Sequence, residues 1–258
     1  MILKMYNRSF EIKKIRVKLK EGEVTLGTWM QIPSTAVAEI IGDAGYDWIA
    51  IDIEHGSMST AQLPNIFRAI ELGGTVPLVR LAIGNAKEAK DALDAGAGGI
   101  IIPMIESAKQ LESIINDSCW PPNGRRGVGF SRANLYGKYF DTYYKEAQNP
   151  LIIAQIENIN AVNDIMDILN VKDLDAIIIG PYDLSASMGL TSQFNHPDYL
   201  NALKRIRNAC LEKSIPLGIH IVSPDEKELK EKINDNYQFI AYSIDAVFLN
   251  NSIINPLN

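Results

Sequence analysis

Hydrophobic residues gather in eight short runs along the chain, and polar, helix-forming stretches separate most of them. The runs are TLGTWMQI from Thr25, DWIAIDIE from Asp47, TVPLVRL from Thr75, GGIIIPMI from Gly98, PLIIAQIE from Pro150, LDAIIIGP from Leu174, IPLGIHIV from Ile215 and YQFIAYSIDAVFL from Tyr237. They are rich in β-branched residues and too short for helices that stand alone. Several are apolar at consecutive positions, which marks strands buried on both faces of a parallel sheet. The stretches between them, such as STAVAEIIGDAG, NAKEAKDALDAG and SPDEKELKEKIND, carry charged faces. Ser34, Ser59, Asn85 and Ser223 are placed to cap their starts.

Repeated strand–helix alternation predicts a parallel α/β architecture. The count of eight favours a closed (β/α)8 TIM barrel over an open doubly wound sheet, and 258 residues suit one such barrel as a single domain over 1–258. The residues before Thr25 predict a helix that closes the barrel bottom. After the eighth run only NNSIINPLN remains, so a truncated C-terminal helix is expected. The connections after the fourth and sixth runs are the longest. The first of these holds SCWPPNGRRGVGFSRANLYGKYF, turn-rich, aromatic and basic. Long loops after strands lie on the functional face of a barrel.

Composition narrows the function. The chain is 47% apolar, enough for a large core, and its net charge is −6 from 25 basic and 31 acidic side chains. It offers no basic field for nucleic acid or an anionic membrane, so neither is expected as a partner. Cys119 and Cys210 form no CxxC pair, which argues against a zinc or redox framework and for a reducing, cytoplasmic setting. The N-terminal stretch lacks the continuous apolar core of a signal peptide, and no run is long enough to span a bilayer.

The chemistry is expected where the strands end. Trp29 and Gln31 lie near the end of the first run. Asp52, Glu54 and His55 end the second, Arg80 the third, Gln155 and Glu157 the fifth, Gly180 to Asp183 the sixth and His220 the seventh. Glu157 and Asp183 are carboxylates on successive strand ends, the donors a hard cation takes. Each alone also fits a helix start, where an acid is stabilising. His55 has the titration range for acid–base work, or a structural role. Arg80 ends an apolar strand, so it needs an anionic partner, from the protein or a substrate. Asp94, in LDAGAGGI, reads by itself as a helix-end residue. His220 fills the rim or touches substrate, and His196, before Pro197, faces solvent. No lysine ends a strand inside the runs, which disfavours Schiff-base chemistry. No GxGxxG or Walker sequence is present.

The stretches GTWMQIPSTAVAEIIGDAGYDWIAIDIEHG, PLVRL, LDAGAGGIIIPMIES, RRGVGFSRANLYG, AQIEN and GPYDLSASMG resemble the HpcH/HpaI aldolases, metal-dependent (class II) pyruvate aldolases, over about Lys20 to Leu249. The resemblance implies a carbon–carbon lyase that cleaves or forms 4-hydroxy-2-oxo acids, with pyruvate and an aldehyde as partners and a divalent ion (magnesium, manganese or cobalt) as cofactor. It implies Glu157 and Asp183 as metal ligands, His55 as acid–base with Asp94 orienting it, and Arg80 beside the enolate oxygen. Trp29 and Gln155 become substrate-site residues, and backbone N–H groups of Tyr182 and Asp183 meet the pyruvate carboxylate. A homo-oligomer is expected, although relatives make subunit contacts with the C-terminal helix that is shortened here. Tyr182 stands where the family has a small or amide residue. Two other readings fit the same residues: another metal–enolate lyase, such as a decarboxylase or an acyl-CoA lyase, and a non-catalytic binding barrel.

Overall fold

The computed structural model describes residues 6–256. Eight parallel strands close into a barrel in chain order, each hydrogen-bonded to its sequence neighbours and β8 to β1. They are β1 (Thr25–Met30), β2 (Trp48–Asp52), β3 (Val76–Arg80), β4 (Gly99–Ile102), β5 (Leu151–Ile156), β6 (Ala176–Ile179), β7 (Leu217–Ile221) and β8 (Phe239–Ile244). Every one lies within the run that predicts it. Consecutive apolar residues are needed because both faces are covered.

The two faces feed two cores. Outward side chains such as Ile49, Ile51, Val79 and Ile177 pack under the surrounding helices. Inward ones, including Trp48, Leu78, Ile153, Ile178 and Phe239, fill the barrel. The N-terminal helix Arg8–Lys20 adds Ile12, Ile15 and Leu19 to that inner core and so closes the bottom, as expected. Trp48 stacks on Phe239 at 4.2 Å between centroids, spanning the floor. It can do so because Gly27 has no side chain: a Cβ there would lie 2.1 Å from the indole. A cavity of about 630 Å³ opens beside this floor, on the face opposite the strand ends.

Three boundaries differ from the sequence reading. The eighth run is not all strand: β8 stops at Ile244 and DAVFL begins a short helix, Asp245–Ser252. The polar cue was Asp245 itself. Its carboxylate is buried and accepts from the N–H groups of Gln31 and Ile32, both at 2.9 Å, fastening the end of β8 to the loop after β1. Ser34 and Asn85 cap their helices, but Ser59 and Ser223 do not. The helix after β2 begins at Leu63 with Pro64 in its first turn, and Asp225 caps Glu226–Asn234. His196 is half-buried, not free in solvent, and caps the helix Pro197–Lys213.

The long connection after β4 packs around its own small core of Trp120, Tyr143 and Ala147. Arg132 pins it down through an ion pair with Glu71 and a 3.0 Å hydrogen bond to the Ala95 carbonyl. Phe130 remains exposed.

Candidate active site

At the strand ends lies a cavity of about 290 Å³. Trp29, Gln31, Asp52, His55, Arg80, Gln155, Tyr182, Asp183 and His220 line it, so the fold brings most of the singled-out residues to one mouth.

The register of β2 and β3 sets Asp52 beside Arg80. Arg80 donates from Nε to Asp52 Oδ1 at 3.1 Å and from Nη2 to Oδ2 at 2.7 Å. Its Nη1 lies 2.7 Å from Glu54 Oε2, and its guanidinium sits 4.8 Å from the Trp29 ring. The buried cation thus finds its partners within the protein, and it remains a fixed positive charge on the cavity wall. Burial opposes the Asp52 charge, but Arg80, the Gln31 amide and the His55 N–H outweigh it and hold Asp52 below the usual carboxylate range. Burial raises Glu54 despite the charges of Arg80 and His55. The same Asp52 fixes the turn that carries His55, accepting from the Glu54 and His55 N–H groups at 3.0 and 3.1 Å. The His55 side chain is exposed on that turn.

Glu157 lies one layer behind the wall, buried. It accepts from the Met104 N–H at 2.7 Å and from the Gln155 amide, and no Lys or Arg among the described residues pairs with it. Burial, opposed by the Met104 N–H and reinforced by the Asp183 charge, pushes its pKa up to about 7. Met104 holds a left-handed φ of 50° to make this bond, a conformation that persists only where surroundings enforce it. Gly180 is required in front: a Cβ there would come 2.7 Å from Glu157 Oε2. Asp183 is exposed in the first turn of the helix Pro181–Ser187. Tyr182, beside it, rests edge-on against Phe194 at 5.1 Å.

No group of three His, Cys, Asp or Glu side chains converges among the described residues. Glu157 and Asp183 are two carboxylates, and a hard cation held by them would have to complete its shell with water and substrate oxygens. A buried carboxylate with no positive partner, facing a second carboxylate, fits such a cation, since the cation's charge would offset the cost of burial.

Asp94 does not join this mouth. It lies half-buried on the helix Ala86–Ala95, where burial raises its pKa against the charges of Arg126 and Lys90. The loop through Phe130 likewise contributes nothing to the cavity wall. Conversely, Gln31 and Glu54 matter more than their sequence signal suggests. Gln31 donates to Asp52 at 2.9 Å and Glu54 flanks Arg80. An acid two residues after a strand-ending Asp, opposite a strand-ending Arg, is the cue for Glu54.

The HpcH/HpaI aldolase/citrate lyase family model matches residues 25–252. The chain belongs to the HpcH/HpaI aldolase/citrate lyase family. It is accordingly a carbon–carbon lyase, as expected from the resemblance. A 4-hydroxy-2-oxovalerate aldolase of Novosphingobium aromaticivorans is 35% identical over 241 residues, 91% of this chain and 89% of that protein. A hydroxypyruvate/pyruvate aldolase of Roseobacter denitrificans is 33% identical over 248 residues, 93% and 94% of the two chains. The crystal structure of an HpcH/HpaI family protein from Burkholderia cenocepacia superposes with a TM-score of 0.87 at 29% identity, covering 93% of this chain and 95% of that one. No helix of the HpcH/HpaI barrel described here is long and apolar enough to cross a membrane.

Proposed function

We propose that this family member is a class II pyruvate aldolase, cleaving or forming 4-hydroxy-2-oxo acids with Glu157 and Asp183 as ligands of a divalent cation. The observation that carries the reading is Glu157: a buried carboxylate without a cationic partner, raised to about 7, directly behind a cavity wall that holds Asp183, Arg80 and His55.

A magnesium, manganese or cobalt ion bound there supplies Lewis-acid polarisation of the 2-oxo group. Arg80 places its fixed charge on the wall where negative charge develops on the enolate oxygen. Asp52 and Glu54 hold that guanidinium, so no reorganisation is needed as the charge forms. The pyruvate carboxylate lies against the Tyr182 and Asp183 N–H groups, which have no acceptor within their helix. Trp29 and Gln155 flank the bound acid.

In cleavage, His55 takes the proton of the C4 hydroxyl. The C3–C4 bond breaks, its electron pair passes to C3, and the aldehyde leaves. A proton returned to C3 gives pyruvate. Addition runs the same steps in reverse. Asp52 positions His55 through the turn N–H groups. Asp94 would orient His55 across a subunit contact of a homo-oligomer, since within one chain it lies away from this mouth.

The test is metal-dependent exchange of the pyruvate C3 protons, followed by aldehyde addition read by product mass. Exchange should vanish on chelation and return with added ion. Full-rate cleavage by chelator-treated enzyme overturns the metal assignment.

A further inference from the structure

The mouth is lined by two unlike sets of residues. Asp52, His55, Arg80 and Asp183 bring charge or titratable chemistry to one. Trp29, His220, Val222 and Ile244, from the ends of β1, β7 and β8, make the other without a formal charge.

Two polar groups belong to that second set: the Trp29 indole N–H, a donor with no partner among the described residues, and His220. The His220 Nε2 lies 3.4 Å from the Ser243 carbonyl oxygen, the ring's only hydrogen bond among the described residues. A carbonyl oxygen only accepts, so Nε2 carries the hydrogen and Nδ1 presents a lone pair. Burial, opposed by the Ser243 carbonyl and reinforced by the Arg80 charge, pushes the pKa down to about 3. The ring is therefore neutral through the physiological range, an acceptor and not a cation. It leans on Trp29 at 5.2 Å, which fixes its plane.

Two further observations limit what can enter. Arg80 is the only Lys or Arg on the wall, and Asp52 and Glu54 already engage it. An anionic aldehyde would meet carboxylates and no lysine or arginine free to pair with it. The cavity, about 290 Å³, is at the small limit of ligand pockets, roughly 300–1,000 Å³. It must hold pyruvate as well.

We propose that His220 selects the aldehyde: the site takes a short, uncharged hydroxyaldehyde whose hydroxyl donates to His220 Nδ1 while its carbons lie on Trp29, Val222 and Ile244. The inference rests on the aldolase reading. In addition, pyruvate C3 gives up a proton and bonds to the aldehyde carbon, whose oxygen takes one up. The hydroxyl held by His220 stays intact.

The experiment compares kcat/KM for matched aldehydes with pyruvate and Mg²⁺: glycolaldehyde against acetaldehyde, lactaldehyde against propanal, with glyoxylate and succinic semialdehyde as anionic probes. The hydroxylated member should lead each pair by about tenfold or more, the scale of one well-made hydrogen bond, and both anions should trail. His220→Leu should bring the ratios toward one. His220→Gln, which keeps an uncharged acceptor oxygen, should retain part of them, and it carries the test if the leucine variant does not fold. Ratios near one in the wild type, ratios unchanged in His220→Leu, or preference for an anion overturn the proposal. Pyruvate C3 exchange needs no aldehyde and separates the failures. Wild-type exchange with flat ratios rejects His220 alone, whereas no exchange rejects the aldolase reading with it.

Discussion

The barrel has a cavity at each end, and the larger one is not the candidate active site. At the bottom, in about 630 Å³, Arg16 is bidentate to Asp175 at 2.7 and 2.9 Å and Arg207 lies 3.0 Å from Asp235. Both of those arginines are met by opposite charges. At the top, in about 290 Å³, Arg80 is paired, but Glu157, behind the wall, feels the Asp183 charge and has no Lys or Arg partner among the described residues. The pairs at the bottom are satisfied within the chain, whereas the unpaired burial of Glu157 is what supports the proposed cation site. Volume does not distinguish the two cavities, but unmet electrostatic demand does.

That contrast can be broken at several points. The largest effect should come from Glu157→Ala or Asp183→Ala, with loss of metal-dependent activity of about 10³-fold or more, since a Lewis acid supplies several kcal/mol. Activity followed through a metal titration checks this, and near-normal turnover in either variant would move the cation site elsewhere. Next, His55→Ala should slow cleavage by ~10²–10⁴ while calorimetry still detects metal binding. Lost metal binding would make His55 a ligand.

A smaller effect concerns pH. Glu157 has its folded pKa raised, so the stability it allows is fully present below about 4.5 and is lost as pH rises through about 7. In metal-free protein the difference in unfolding free energy between wild type and Glu157→Gln should therefore change by up to about 3 kcal/mol across that window. A constant difference would show that Glu157 is not held in the environment described. At the bottom, Asp175→Ala should cost about 1–3 kcal/mol in denaturant unfolding, because it strips Arg16 and the Ile152 N–H of their acceptor. Activity per folded molecule should not change. If it falls, the two ends are coupled.

Much of this was readable in the chain. Double-sided burial forces unbroken apolar runs, and these located all eight strands. Strand ends point to one mouth, so sequence position alone groups Asp52, His55, Arg80, Gln155 and Asp183. What the sequence hid depends on pairing between distant segments. That Arg80 is held by Asp52 and Glu54 follows from the β2–β3 register. The eighth run misled because DAVFL stays apolar when the backbone turns from strand to helix, and only the cost of burying Asp245 marks the change. Asp94 was placed by resemblance, and resemblance does not specify which chain's mouth it serves.

The grip of Asp245 on the loop after β1 has a consequence for synthesis. Gln31 and Asp245 are 214 positions apart in the chain. The ring of strands cannot lock until everything between them has been translated. The proposed metal ligands emerge well before that point, but the part of the wall made by Trp29, His220 and Ile244 assembles only as the seam closes. Any sheet that forms on the ribosome before residue 245 arrives has two open edges, and their protection falls to whatever shelters the nascent chain.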